Sequence, residues 1–239
     1  MFAEEGNVFV INSVEGIKLK VKIINEEDKS ATVLGLDFSS SIEVSEESSL
    51  TIPSMANSYH LTSIADNAFT GCDFRAVIIM EGIKKVGKNS FAECNNLQEI
   101  SLPSTIQSFG SGCFVSKNIK LVKVYFDNPV EAFGNIFDEW LSLDSNDSGS
   151  WEYGIYNNAI LYVPKGSLYL FRSTIPWAYF NNICEFDTET TAIDTQFVYN
   201  YNSWNAHSTA IFDLTGRRFN SIPEKGMYIQ GGKKYFIHK

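Results

Sequence analysis

Apolar positions in the middle of this chain recur every 22–23 residues, far from the 3.6-residue spacing of a helix. The stretch Leu61–Cys72 sets Leu61, Ile64, Ala68 and Phe69 among polar residues and ends on a cysteine. Ile83–Cys94 repeats it with Ile83, Val86, Ser90, Phe91 and Cys94. Ile106–Phe114 repeats it again with Ile106, Phe109, Cys113 and Phe114, and Phe133–Phe137 reads as a shortened fourth copy. Each copy is followed by a short run whose alternate residues are apolar, which predicts strands over Val77–Met80, Ile100–Leu102, Val124–Phe126 and Leu161–Val163.

One strand and one irregular loop per repeat is the unit of a leucine-rich-repeat solenoid, in which no unit buries its apolar face alone. Stacking then predicts two internal ladders: Phe69, Phe91, Phe114 and Phe137, and beside them Ile64, Val86 and Phe109. Each large apolar side chain fully buried in this way contributes about 1.5–3 kcal/mol. If Val77, Ile79, Ile100, Leu102, Val124, Phe126, Leu161 and Val163 face inward, the outward row is Ile78, Ser101, Tyr125 and Tyr162.

The pattern Ile-x-x-x-Ala-Phe-x-x-Cys, with Leu97 to Pro103 as Leu-x-x-Ile-x-Leu-Pro, resembles the BspA-like leucine-rich-repeat family of bacterial surface proteins. The stretches Ala31–Gly35 and Leu50–Pro53 are similar to that family's β-rich N-terminal cap. Leu161–Gly166, Pro176-Trp177 and Phe180–Ile183 are similar to its closing repeat. The C-terminal segment has short apolar runs around Gly216, Gly226 and Gly231-Gly232, which predict a small antiparallel β unit. Its order, Gly216-Arg217-Arg218, then Gly226-x-Tyr228 and a basic end, resembles the sorting domains of type IX secretion substrates. The expected architecture is mainly β: a β-rich cap over 1–58, a short leucine-rich-repeat solenoid over 59–187, and a β-sandwich-like domain over 188–239. A long insertion, 138–158, interrupts the repeats.

Composition narrows the function. The longest apolar runs, Ala76–Met80 and Ala159–Val163, are far short of the ~20 residues that span a bilayer. The net charge of −9 disfavours a nucleic-acid partner. Charge is unevenly placed: residues 1–50 carry ten acids and four bases, residues 201–239 two acids and six bases. The chain opens acidic, at Glu4 and Glu5, without the basic and apolar stretches of a secretory leader. With a sorting-like tail, that reads as an exported or surface protein whose leader has been removed.

Candidate chemistry is sparse. Cys72, Cys94 and Cys113 fall inside repeats, and side chains stacked at equivalent positions point the same way, so thiols used as small core fillers are expected. His60, His207 and His238 have no ligand-type partner at helical spacing. Asp144, Asn146, Ser148, Gly149 and Glu152 match five positions of a calcium loop, but Ile155 stands where the bidentate Glu belongs. The loop is read as turn-rich and solvated, and no metal, cofactor or catalytic residue is assigned. Partner-binding candidates are Ile78, Ser101, Tyr125 and Tyr162 on the sheet and Trp140 and Trp151 in the insertion. The family resemblance implies an adhesin-like recognition protein for a host or bacterial surface protein or glycan. A ligand-free spacer is the first rival, and a hydrolase with a site formed only in three dimensions the second.

Overall fold

The computed structural model describes residues 7–38, 48–130, 136–137 and 155–187, and the backbone of four strands between 211 and 237. The chain divides into two compact units, Met1–Cys184 and Glu185–Lys239.

The first unit opens with an antiparallel meander, β1 (Val8–Asn12), β2 (Lys18–Asn25) and β3 (Ser30–Leu36). Strict alternation places Leu19 and Val21 in the core and turns Lys18, Lys20 and Lys22 to solvent. The solenoid follows, and its first three turns each contribute to two sheets. One set of rungs is β4 (Ser49–Ile52), β7 (Ala76–Ile79), β9 (Glu99–Leu102), β11 (Leu121–Val124) and β12 (Ile160–Pro164), paired in parallel in that order. A last strand, β13 (Asn182–Phe186), adds to β12 and completes this six-stranded sheet, here the rung sheet.

The second set is shorter: β6 (Tyr59–Ile64), with β5 (Met55–Ala56) folded back on it, then β8 (Lys85–Val86) and β10 (Ser108–Phe109). β3 pairs in parallel with β6, so the meander and these short strands form one continuous sheet, here the cap sheet. Leu50–Ile52, expected in the N-terminal cap, is thus the first rung of the repeat sheet.

The space between the sheets holds the expected ladders. Phe69 stacks on Phe91 at 5.1 Å, Phe91 on Phe114 at 5.3 Å and Phe114 on Phe137 at 6.0 Å, with rings near parallel. Ile64, Val86 and Phe109 pair in register beside them. Phe74, Leu97 and Ile119 are also buried, each one repeat apart. The backbone at each Phe is tied to the next turn: Phe69 N–H donates to Ser90 O, Phe91 to Cys113 O and Phe114 to Ile136 O. Two residues before each Phe the chain needs a left-handed residue, supplied by Asn67, Asn89 and Gly112 with φ of 57°, 52° and 65°. Asn and Gly tolerate that region best.

The far end is closed by α1 (Ile155–Asn158), α2 (Leu168–Ser173) and a 3-10 turn over Trp177–Tyr179. Fully buried Trp177 meets Phe109, Phe126, Phe137 and Phe171 with centroids 5.6–5.9 Å away, and its Nε1–H donates to Val130 O at 2.9 Å. An aromatic plug with a satisfied donor ends the stack without exposing its apolar edge.

No disulfide joins the four cysteines. Cys94 and Cys113 are buried as expected, whereas Cys72 is only half-buried. The Cys94 thiol lies 3.2 Å from Phe69 O. Burial pushes Cys94 up to about 12 and Cys72 up to about 11, and Cys113 higher still. In the second unit, β14 (Ile211–Phe212), β15 (Arg218–Phe219), β16 (Gly226–Gln230) and β17 (Lys233–Ile237) form an antiparallel sheet in the order β15-β14-β16-β17.

Candidate partner-binding face

The outer face of the rung sheet is built by alternation. Leu50, Val77, Ile100, Val122 and Leu161 point into the core, so the residues flanking them point out. Two cross-strand rows result. One runs Ser49, Ala76, Glu99, Leu121, Ile160, and the other Thr51, Ile78, Ser101, Lys123, Tyr162.

The second row corrects the expected one. The strand expected over Val124–Phe126 is β11, which spans Leu121–Val124, so Lys123, not Tyr125, stands between Ser101 and Tyr162. The cause lies in the preceding loop: Ile119 fills the core position of Leu97, 22 residues earlier, and the strand starts two residues later in both turns. Alternation alone cannot distinguish the two frames, because Leu121 to Phe126 keeps the same parity throughout. Tyr125 lies just beyond the strand, tied by its N–H to Leu102 O, on the same face as Lys123. The Lys123 Nζ sits 4.9 Å from the Tyr125 ring centroid, a cation–π distance.

Exposure varies along the face. Thr51 is 5% exposed and Ile78 8%, so the N-terminal half of the row offers a partner little surface. Ser101, Lys123, Tyr125 and Tyr162 are half-buried. Glu15, in the β1–β2 turn, accepts Thr51 N–H at 2.9 Å and the Thr51 hydroxyl at 2.5 Å. It thereby satisfies a donor on the outer edge of β4. Beside the row, Arg75 Nη2 lies 3.1 Å from Glu99 Oε1, and both side chains are buried. Burial raises the Glu99 carboxyl above its ordinary value, while the nearby Arg75 and Lys120 charges pull it back in part. Neither this pair nor Lys123 was singled out from the sequence; the match of Ile119 to Leu97 was the signal that could have found Lys123.

Trp140 and Trp151 lie outside the described residues, as do Asp144, Asn146, Ser148, Gly149, Glu152, His207 and His238. His60 is exposed in β6. Among the described residues no three His, Cys, Asp or Glu side chains converge as a metal site. Nor is any helix among them long and apolar enough to cross a membrane.

Residues 40–144, under half of the chain, match the model of the BspA type leucine rich repeat region, in six copies. No curated protein matches this chain. Among solved structures it is similar to a leucine-rich repeat protein from Bacteroides capillosus ATCC 29799, at 20% identity over 56% of this chain and 96% of that one, with a TM-score of 0.43. A T. pallidum leucine rich repeat protein is similar at 12% identity over 57% of this chain and 65% of that one, TM-score 0.36. A leucine rich cell surface protein from Faecalibacterium prausnitzii A2-165 is similar at 15% identity over 56% of this chain and 40% of that one, TM-score 0.39.

Proposed function

We propose that this chain is a non-catalytic recognition protein, exported or displayed at the cell surface, that holds a protein or glycan partner against the C-terminal half of the rung sheet. The BspA-type repeat supports a surface and interaction role. The resemblance of residues 190–239 to a type IX sorting domain supports export. The observation that carries the reading is the group Ser101, Lys123, Tyr125 and Tyr162, half-buried on one face of a hydrogen-bonded parallel sheet, with a lysine against a tyrosine ring. Tyrosine side chains, with two χ angles each, lose little conformational freedom when a partner arrives. Trp140 and Trp151, in the insertion, are the second anchor set.

A spacer without a ligand is the alternative, and the burial of Thr51 and Ile78 favours it, since two of the row's five residues are closed. The test is binding to a panel of host matrix proteins, cell-surface glycans and bacterial polysaccharides, with a Tyr125→Ala/Tyr162→Ala variant of unchanged melting temperature alongside. Saturable binding weakened at least about tenfold in the variant is expected, consistent with two anchors each worth about 1 kcal/mol or more. Binding retained in the variant moves the site to the 138–158 insertion. Silence across the panel favours the spacer.

A further inference from the structure

The opposite sheet carries a second surface of different chemistry. On the outer face of the cap sheet the pairing is continuous: Val8 with Lys22, Lys22 with Thr32, Thr32 with Ser63, Ser63 with Lys85, Lys85 with Ser108. These six residues form one cross-strand row from β1 to β10. Their outward direction follows from the neighbours that point the other way, since Val21, Val33, Ile64 and Val86 are buried in the core. Lys22 and Lys85 are exposed, and Thr32, Ser63 and Ser108 are half-buried. Lys22 and Lys85 are three strands apart, about 14 Å at about 4.8 Å per strand.

A line of charge crosses this row. Lys18, Lys20 and Lys22 alternate along β2 on the same face, at about 6.8 Å intervals, and all three are exposed. Among the described residues, Asp37 Oδ1 lies 3.7 Å from Lys20 Nζ. At the β2–β3 turn the acid Glu26 is already engaged by Lys29 Nζ at 2.8 Å and by the Tyr59 hydroxyl at 3.0 Å. The described residues of this face are therefore locally cationic on a chain of net charge −9. A local reversal of sign on an acidic molecule attracts a polyanion at one place and repels it elsewhere.

We infer that the outer face of the cap sheet is a binding site for a linear anionic polysaccharide, with Lys18, Lys20, Lys22 and Lys85 pairing its sulfate or carboxylate groups and Thr32, Ser63 and Ser108 meeting its hydroxyls. Charge complementarity names the sign of the ligand, and the spacing names its form. Four cations spread over one sheet face match charges repeated along an extended polymer rather than one compact anion. The hydroxyl row distinguishes a sugar polymer from a protein partner, whose affinity would rest on aromatic or arginine anchors that this row lacks. Exposed large apolar side chains on this sheet are Val8 and Val10 on β1, Ile24 on β2 and Met55 on β5, whereas the row continues through β3, β6, β8 and β10 without one, which sets the polymer ahead of a bilayer surface. The site is separate from the tyrosine face of the rung sheet and does not depend on it.

The experiment measures binding of the full chain to immobilised dextran sulfate, polygalacturonate and neutral dextran, and to vesicles of anionic phospholipid. The variants are Lys18→Gln/Lys20→Gln/Lys22→Gln, its Lys→Arg counterpart, and Lys117→Gln/Lys120→Gln/Lys165→Gln as a control of equal net charge. The expected result is binding to the charged polymers only, weakened on raising salt and about tenfold in the β2 triple Gln variant. The Arg variant and the control should bind as the parent does. Equal loss in the control and the β2 variant would mean diffuse attraction and overturn the site. Binding to vesicles but not to polymers would overturn the ligand class. Absence of charged-polymer binding at low salt would overturn both. The Tyr125→Ala/Tyr162→Ala variant should be indifferent here, so failure of one site leaves the other standing.

Discussion

Cys94 sits where two neighbouring repeats meet, with its thiol against Phe69 O and its pKa pushed up to about 12 by burial and the nearness of Cys72. The folded state therefore prefers the protonated thiol. That preference stabilises fully below the unfolded value, near 9.0, and is lost as pH rises through the folded value. Wild-type protein should lose stability between about pH 9 and 12, and Cys94→Ala should lose measurably less over that window. Urea unfolding at several pH values checks this through the difference between the two proteins, which cancels the shared titration of lysines and tyrosines. An equal decline in both would mean that the thiolate is accommodated without penalty. The positions of Cys72, Cys94 and Cys113 in the repeats were legible as spacings. The half-exposure of Cys72 was not, because it depends on how many turns cover it.

Between repeats, the controlling contact is backbone against backbone. At Gly87 an added Cβ would lie 2.5 Å from the carbonyl carbon of Ala65, and at Gly110 it would overlap the backbone of Lys88. Neither glycine has a positive φ, so the requirement is one of space rather than conformation. Gly110→Ala should force successive turns apart and cost about 1–3 kcal/mol or more, read as a lower urea midpoint with an unchanged m-value. The rung strands were legible from alternation. The frame of β11 was not, since a two-residue slide keeps the same residues facing inward and changes only which outward residue meets its neighbours. The burial of Ile119 beneath the strand removes that freedom.

Across the molecule, the strand pairings fall into separate sheets, and the described strands of the second unit pair only among themselves. We therefore expect 188–239 to be removable as the C-terminal β domain. A fragment ending at residue 187 keeps the whole of β13 and the Trp177 plug. It should unfold cooperatively with a melting temperature close to that of the full chain, as followed by circular dichroism. A large drop would show that the repeat region leans on the C-terminal residues for its stability. The division of 1–187 at residue 58 is less natural, because β4 is already a rung and β3 is hydrogen-bonded to β6.

The amino-acid sequence alone determined the repeat, its period, the two ladders and the inward and outward parity of most strands. Those features follow from side-chain size and alternation, which are local and recur in every turn. Tertiary structure decided what depends on packing between turns and between sheets. It set the frame of β11, and with it Lys123 in place of Tyr125 between Ser101 and Tyr162. It placed Glu15 on the edge of β4 and Trp177 over the end of the Phe stack. It also aligned Lys22 and Lys85, 63 residues apart in sequence, in one row through three strand pairings. No local pattern encodes such a row, because each residue's neighbours across a sheet are chosen by register, and register is fixed by which apolar faces bury together.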